Sequence, residues 1–250
     1  MIVLKLGGSV ITEKDRPETI DGEALEAAAE AVAAAPDEEL VIVHGGGSFG
    51  HHHASEHGVS TTDGTGDAGA ALEIHGAMTT LNRFVLGRLH DYDVPAVPVH
   101  PFSTAHRDDE GELTLPTGQV RTLLEEGFVP VLHGDVVGHA GKGVTVVSGD
   151  ELVTELATDL EATRIGLCST VPGVLDDDGE VIDRITAFED VEDVLGGSDA
   201  TDVTGGMAAK VKGLLTLEAS ASIFGPEALE TFLVGGEPGT TLESDREANC

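Results

Sequence analysis

Residues 40–58 read LVIVHGGGSFGHHHASEHG, an apolar run that ends in a glycine-rich turn and continues into a stretch crowded with histidine. Short apolar runs that end near glycine and lead into longer helical stretches recur along the chain. Such a repeat is typical of an open, mostly parallel sheet covered by helices. The pattern therefore predicts an α/β fold with strands at Ile2–Leu6, Leu40–His44, Ala96–Val99, Val129–Leu132 and Arg164–Leu167.

Helices are expected between these runs. Gly22–Ala35, which is rich in Ala and Glu, and Ala68–Leu89 have helical composition and spacing. A third helix is predicted to begin after Gly206, with four apolar residues on one face: Met207, Val211, Leu214 and Leu215. Residues 133–150, HGDVVGHAGKGVTVVSGD, contain two β-rich runs around a glycine turn and predict a hairpin.

The charge of the chain restricts its partners. Acidic residues outnumber basic ones 46 to 13, which gives a formal net charge of -33 and excludes general binding to nucleic acids or anionic membranes. Apolar residues make up 40% of the chain and occur in regular runs, so a folded core is expected rather than disorder. We interpret the excess acid as a hydrated surface suited to a high-salt cytoplasm, where screening weakens repulsion.

Cysteine usage and hydropathy indicate the compartment. Cys168 and Cys250 are the two cysteines, so no disulfide framework is expected, as in a reducing cytoplasm. The sequence contains no uncharged apolar stretch of about 18 residues that could span a membrane. Met1 opens directly onto IVLKL without the pattern of a signal peptide. We expect a soluble cytoplasmic protein.

Lysine is scarce, and its few positions are informative. The chain has five, each close to glycine: Lys5, Lys14, Lys142, Lys210 and Lys212. Lysines on exposed faces usually contribute little to stability. This chain has almost no lysines of that kind. We therefore assign function to Lys5, Lys210 and Lys14, and a structural or peripheral place to Lys142 and Lys212.

Three glycine-bearing segments are candidate anion sites: Gly7-Gly8-Ser9, Gly45-Gly46-Gly47-Ser48 and Gly205-Gly206. Without a Cβ, glycine lets backbone N–H groups approach an anion, and a following helix adds its positive N-terminal end. Lysines supply the full charge that a transferring phosphoryl group needs. The combination favours chemistry between two or more bound polyanions.

Two other interpretations of residues 44–58 are weaker. Gly45, Gly47 and Gly50 satisfy GxGxxG, but the second strand with a terminal acid that dinucleotide binding requires does not follow. The Walker pattern GxxxxGK[ST] is absent, since Gly141-Lys142 is followed by glycine and lacks the leading glycine.

The histidines after the glycine run have different expected roles. His53 and His57 could share a helix face, but a third metal ligand is not apparent, so no metal site is expected. We predict that His52, His53 and His57 are solvated. His51 directly follows the glycine loop, where it can donate a hydrogen bond to an anion held by Gly46 and Gly47.

Five motifs in order, KLGGSVITEK, HGGGSFGH, HGDVV, VVSGDEL and DVTGGMAAK, resemble the amino acid kinase superfamily. Within it they are similar to the archaeal isopentenyl phosphate kinases. The resemblance runs from Lys5 to Lys210, and the histidine of GGGSFGH separates this branch from the related acetylglutamate, aspartate, uridylate and carbamate kinases.

The resemblance implies a three-layer αβα sandwich with an open, mainly parallel sheet, formed by residues 1–250 as a single domain. Residues 1–160 would form the phosphate-acceptor lobe and residues 161–250 the nucleotide-binding lobe. The implied activity is phosphorylation of isopentenyl phosphate to isopentenyl diphosphate by ATP with Mg²⁺, and a homodimer is the expected assembly.

The resemblance also implies roles for single residues. Those expected at the chemistry are Lys5, Lys14, His51, Asp150 and Lys210. The acceptor would be bound by Gly8, Gly46, Gly47, Gly50, His51 and Gly149. ATP would be bound by Lys5, Gly7, Ser9, Ser169, Gly173, Gly205, Gly206 and Lys210. Residues 169–173, STVPG, stand where related kinases have a TDVDG-like run, and the two missing aspartates alter the nucleotide contacts expected there.

The chemistry of a phosphate acceptor agrees with this set of site residues. A phosphate monoester has a second pKa near 6, so the attacking oxygen is already anionic at neutral pH and needs no general base. An apolar slot for the tail is expected between Ile74, Met78, Leu81 and either Val137 or Val147. Two alternatives stay open: a related kinase of another phosphate or phosphonate, such as fosfomycin, and a nucleotide-binding sensor without turnover.

Overall fold

The computed structural model describes residues 1–35, 38–195 and 206–243. Its strands are β1 (Ile2–Leu6), β2 (Leu40–His44), β3 (Ala96–Pro98), β4 (His106–Arg107), β5 (Leu113–Thr114), β6 (Val129–His133), β7 (Asp135–His139), β8 (Gly143–Val147), β9 (Arg164–Cys168), β10 (Arg184–Ile185), β11 (Ser220–Phe224) and β12 (Thr240–Leu242). Its helices are α1 (Gly8–Ile11), α2 (Gly22–Ala33), α3 (Gly47–Glu56), α4 (Ala68–Asp91), α5 (Gly118–Glu125), α6 (Gly149–Asp159), α7 (Glu192–Leu195), α8 (Gly206–Leu215) and α9 (Leu229–Leu233).

The main sheet is built outward from β1. In the described residues its order is β10-β12-β11-β9-β1-β2-β6-β3, and the neighbours are parallel except for β11 and β12. β1 pairs with β2 on one side and with β9 on the other, so the strand order reverses at β1. A crevice opens beyond the carboxyl ends of parallel strands at such a reversal. The loop that follows β1 lies at that point.

The sheet is covered on both faces, which confirms the expected three-layer αβα sandwich. Along β1, Val3 packs into one apolar cluster while Leu4 packs into the other, because successive side chains of a strand point to opposite faces. The first cluster takes side chains from α5, α6 and α8, and the second takes side chains from α2, α4 and α9. Strands buried on both faces explain the continuous apolar runs of the sequence.

A second, smaller sheet stands beside the first, with the order β5-β4-β7-β8. The predicted hairpin is its main part. β7 and β8 are antiparallel, with Asp135 opposite Val147. At the turn, Gly141 and Gly143 have φ values of 77° and 83°, a region that glycine enters at little cost.

The elements predicted from sequence are present with small shifts at their ends. The five predicted strands are β1, β2, β3, β6 and β9, and the predicted helices are α2, α4 and α8. β11 and β12, which complete the far side of the sheet, and α6, which carries Asp150, are additions that the structure reveals. Within the three described ranges, no helix is long and apolar enough to cross a bilayer.

Candidate active site

A cleft of about 240 Å³ lies beyond the carboxyl ends of β1 and β2. Residues from both halves of the chain line it, and most of the predicted site residues are among them. These are Lys5, Gly7, Gly8, Ser9, Lys14, Gly46, Gly50, His51, Gly149, Asp150, Ser169 and Lys210. The motifs that stand apart in the sequence therefore meet around one cavity.

Lys5 and Asp150 form an ion pair at the floor of the cleft. Lys5 Nζ lies 2.7 Å from Asp150 Oδ1, with the two side chains 11% and 19% exposed. Lys5 is fixed on the central strand, and Asp150 is in the first turn of α6, where Ser148 and Glu151 form a reciprocal capping box. Because a sheltered charge pair is strong and directional, the ammonium group of Lys5 is held in place at the cavity wall.

The glycine turns after β1 and β2 are in backbone contact. A Cβ at Gly8 would overlap the backbone nitrogen of Gly47, and one at Gly45 would lie 2.6 Å from Gly8 N. No side chain fits between the two turns, which explains why glycine occupies both. The close approach brings the backbone of both turns to one side of the cavity, as an anion site requires.

The segment that carries Lys14 is tied to α3. The backbone N–H of Ser48 donates to Thr12 Oγ1 at 3.0 Å, and the N–H of Glu18 donates to the Ser48 carbonyl at 3.1 Å. His51, one turn along α3, is exposed on the cleft side. Lys14 and His51 therefore project into the cavity from two segments that hold each other.

Some predicted residues lie away from the cleft. Gly47 is beneath it, against Gly8, and Gly173 packs against Thr240 and Val181. Gly206 begins α8 with a φ of 64°, one turn before Lys210, while Gly205 lies outside the described residues.

The two lysines expected to be peripheral do not line the cleft. Lys142 donates to the Thr62 carbonyl at 2.9 Å, and Lys212 Nζ lies 4.1 Å from the ring centroid of Phe188.

The apolar end of the cleft differs in part from the sequence prediction. Ile74, Met78 and Val147 line it as expected. Leu81 and Val137 do not, because both are fully buried in the two main cores. Ala54 and Val146, which the sequence did not single out, complete the apolar wall.

The prediction that His53 is solvated is wrong. Its side chain is only 12% exposed, and its Nε2 lies 3.1 Å from Glu18 Oε1. His57 is also engaged, with its Nε2 2.9 Å from Glu73 Oε2. These contacts arise because α3 packs against α4 and the 12–20 segment, which supply glutamates that local sequence cannot reveal.

A row of three histidines, two of them fully buried, lies under the cleft and was missed by sequence reasoning. His44, His133 and His100 lie at or just beyond the ends of the neighbouring strands β2, β6 and β3. His44 Nδ1 donates to the Gly45 carbonyl at 3.1 Å, and His133 Nδ1 donates to the Gly134 carbonyl at 2.9 Å. The signal available in the sequence was a His-Gly pair directly after two of the apolar runs.

This row continues to a buried carboxylate. His100 Nδ1 lies 2.9 Å from His133 Nε2, and His75 Nδ1 lies 2.8 Å from Asp135 Oδ2. The hydrogen bond to Asp135 raises the pKa of His75, while burial raises the pKa of Asp135. The pair joins α4 to β7, the two elements that flank the apolar end of the cleft.

Burial sets the charge state of the histidines under the glycine turns. Desolvation lowers the pKa of His44 to about 4 and the pKa of His133 well below its ordinary value. Both are neutral at pH 7, so their hydrogen bonds stabilise the turns without adding charge.

We expect the free energy of unfolding to fall as the pH drops from 7.5 to 5. The unfolded state gains a proton at His44 below pH 6.5, whereas the folded state does not until about pH 4, so His44 alone accounts for a loss of about 2 kcal/mol at pH 5. The lowered pKa of His133 adds to this loss. Denaturant unfolding of the wild type and of His44→Asn at both pH values, at fixed salt, measures it. The variant should lose about 2 kcal/mol less. An identical pH dependence in both proteins would contradict the assignment, and His52→Asn, at a partly exposed histidine on α3, is the matched control.

Comparison with known proteins places these features in a family. Residues 1–223 match the model of the amino acid kinase family. The isopentenyl phosphate kinase of Haloferax volcanii is 60% identical over 246 residues, covering 98% of this chain and 99% of that protein. The isopentenyl phosphate kinase of Methanocaldococcus jannaschii is 32% identical, covering 97% and 98%. A crystal structure described as isopentenyl phosphate kinase superposes with a TM-score of 0.84 at 31% identity, covering 97% and 99%.

Proposed function

Because this chain belongs to the amino acid kinase family, and its full-length relatives are isopentenyl phosphate kinases, we propose that it phosphorylates isopentenyl phosphate with ATP. An oxygen of the acceptor phosphate forms a bond to the γ-phosphorus of ATP. The bond from that phosphorus to the β,γ-bridging oxygen breaks, and ADP leaves with the electron pair. The products are isopentenyl diphosphate and ADP.

One observation supports this reaction above all: Lys5, Lys210 and His51 line the same cleft as two touching glycine turns. The obstacle to the reaction is the approach of two anions. Fixed cations and backbone N–H groups lower that barrier because they stabilise the charge of the transferring group without having to reorganise. The acceptor oxygen is already ionised at neutral pH, so the mechanism needs no base.

We assign a role to each residue from its position in the cleft. We assign Lys5 and Lys210 to the transferring phosphoryl group, with Lys14 beside it, and Asp150 to the orientation of Lys5, its partner at 2.7 Å. His51 and the backbone of Gly8, Gly46 and Gly50 would hold the acceptor phosphate. Its apolar tail would extend along Ile74, Met78 and Val147 at the other end of the cleft.

The residues present fit a magnesium ion carried by the nucleotide. Among the described lining residues, the carboxylates are Asp135, whose side chain has no exposed surface, and Asp150, which is paired with Lys5. Mg²⁺ commonly keeps several waters and binds substrate phosphates with few protein ligands, so Asp150 is the group able to reach its shell. Bound Mg²⁺ neutralises charge on the phosphates of ATP.

The lobes of the enzyme, its assembly and its cellular environment are also part of the proposal. We assign residues 1–160 to the acceptor lobe and residues 161–250 to the nucleotide lobe, on either side of the strand-order reversal at β1. A homodimer in a salt-rich cytoplasm, with the net charge of -33 on a hydrated surface, is the expected form.

Acceptor preference distinguishes this function from its alternatives. ADP release, measured by a coupled assay with ATP and Mg²⁺ in high salt, should be fast with isopentenyl phosphate and slow with fosfomycin. Preference for the phosphonate would reassign the enzyme to the fosfomycin-kinase-like alternative. Binding of ATP without turnover on either acceptor would identify a sensor.

A further inference from the structure

We propose that His53, Glu56 and Glu73 form a second site, outside the catalytic cleft, that binds a divalent transition-metal ion of the zinc class. The three side chains come from α3 and α4, and their ligand atoms lie within 4.8 Å of one another. None of the three lines the cleft, whereas Ala54 and His51 on the same helix do. The site is therefore distinct from the place where ATP would bring its magnesium ion.

The spacing of the ligand atoms fits a small tetrahedral ion. His53 Nδ1 lies 3.4 Å from Glu73 Oε1 and 3.5 Å from Glu56 Oε2. Zinc binds nitrogen and carboxylate oxygen at about 2.0–2.2 Å, so the edges of its tetrahedron are about 3.3–3.5 Å long. The two distances equal those edges without any movement of the chain.

The orientation of His53 provides an independent reason. Its Nδ1 atom is buried and has no hydrogen-bond partner, although two carboxylates lie within 3.5 Å of it. The carboxylate oxygens thus lie off the line along which a ring N–H would donate. If a metal ion lay on that line, the carboxylate oxygens bound to it would lie off the line, as they do here. Each ligand of a metal ion points at the ion rather than at the other ligands.

Neighbouring groups supply the outer contacts that metal sites usually have. His53 Nε2, the other ring nitrogen, lies 3.1 Å from Glu18 Oε1, so a carboxylate can fix the tautomer that leaves Nδ1 free to bind. His57 Nε2 lies 2.9 Å from Glu73 Oε2, the oxygen that does not face His53. That contact holds the Glu73 carboxylate with its other oxygen, Oε1, towards His53.

The donor set indicates the class of ion. Imidazole favours Zn²⁺, Co²⁺ or Ni²⁺ over Mg²⁺ and Ca²⁺, which prefer oxygen alone. Glu56 and Glu73 are 55% and 52% exposed, so an ion can enter from solvent and keep water in its fourth position. Through Glu18, the ion would also connect the 12–20 segment, which carries Lys14, to α3, which carries His51.

Titration of the metal-stripped, untagged protein with Co²⁺ tests the site. The titration is performed in high salt with excess Mg²⁺ and is followed by the visible absorption of Co²⁺ and by equilibrium dialysis. We expect one tightly bound Co²⁺ per chain, displaced by Zn²⁺. Metal at about a hundredfold excess over its Kd should raise Tm by about 5–10 °C. Glu18→Gln, which removes an outer contact, should weaken binding about 10-fold or more.

Two variants decide the outcome. His53→Ala should abolish the Co²⁺ spectrum and the rise in Tm, whereas His106→Ala, at an exposed histidine on β4, should leave both unchanged. Absence of saturable binding in the wild type would overturn the proposal. Equal binding by the wild type and His53→Ala would also overturn it, since the metal would then be held by scattered surface histidines. Kinase activity is not the readout, so failure here and failure of the proposed function can be told apart.

Discussion

Lys210→Ala should lower kcat about a hundred- to a thousand-fold with little change in the KM for either substrate. Lys210 lines the cleft with Lys5, and its charge is assigned to the phosphoryl group in transit. Loss of one preorganised group that stabilises transition-state charge costs about this much. An interaction made only in the transition state lowers kcat and kcat/KM together. Steady-state rates of ADP release, with each substrate varied in turn, measure the effect.

Lys212→Ala is the matched control. Lys212 is on the same helix two residues later, but its ammonium group lies over the ring of Phe188 and it does not line the cleft. Its removal deletes the same charge from α8, so a general electrostatic effect would appear in both variants. A large loss of kcat in Lys212→Ala with none in Lys210→Ala would show that the wrong lysine has been assigned.

His51→Ala should lower kcat/KM for isopentenyl phosphate about 10- to 100-fold and leave the KM for ATP unchanged. His51 is exposed at the cleft wall beside Gly50, where the acceptor phosphate is expected. A hydrogen bond to a charged group is worth about 1.5–3 kcal/mol, which corresponds to this range. Initial rates with the acceptor and ATP varied separately distinguish the two substrates.

His52→Ala tests whether the effect belongs to position 51. The two histidines are adjacent on α3, but His52 faces Glu56 and is not part of the cleft lining. It should retain wild-type kinetics. If His51→Ala weakens the use of ATP and of the acceptor to the same degree, His51 has no specific role at the acceptor phosphate.

The sequence predicted the parts of the fold whose signal is local. β1 and β2 are largely apolar runs because both faces of the sheet are covered, and glycine directly follows each of them. β11 and β12 were missed for the opposite reason. SASIF and TTL are short and partly polar, and their burial depends on Arg164–Cys168 and other distant neighbours.

The site was predictable to the extent that its residues are rare in this chain. Lys5, Lys14 and Lys210 were found because lysine is nearly absent elsewhere, and the structure brings all three to one cleft. The row of His44, His133 and His100 was not found, since His44 and His133 acquire their buried environment only when β2 and β6 pair. The contacts of His53 depend on Glu18 and Glu73, which no helical spacing connects.

The position of β1 has a consequence for how the chain is made. β1 is synthesised before β9, so one of its edges stays open until Arg164–Cys168 has been synthesised and paired with it. Until then the strand that carries Lys5 has unpaired backbone groups along that edge, a condition that favours association between nascent chains. Charged, hydrated side chains in the acidic segments synthesised in the meantime oppose such association, because burying them in a contact between chains costs free energy. The acidic composition of the chain therefore also acts against association before β9 is in place.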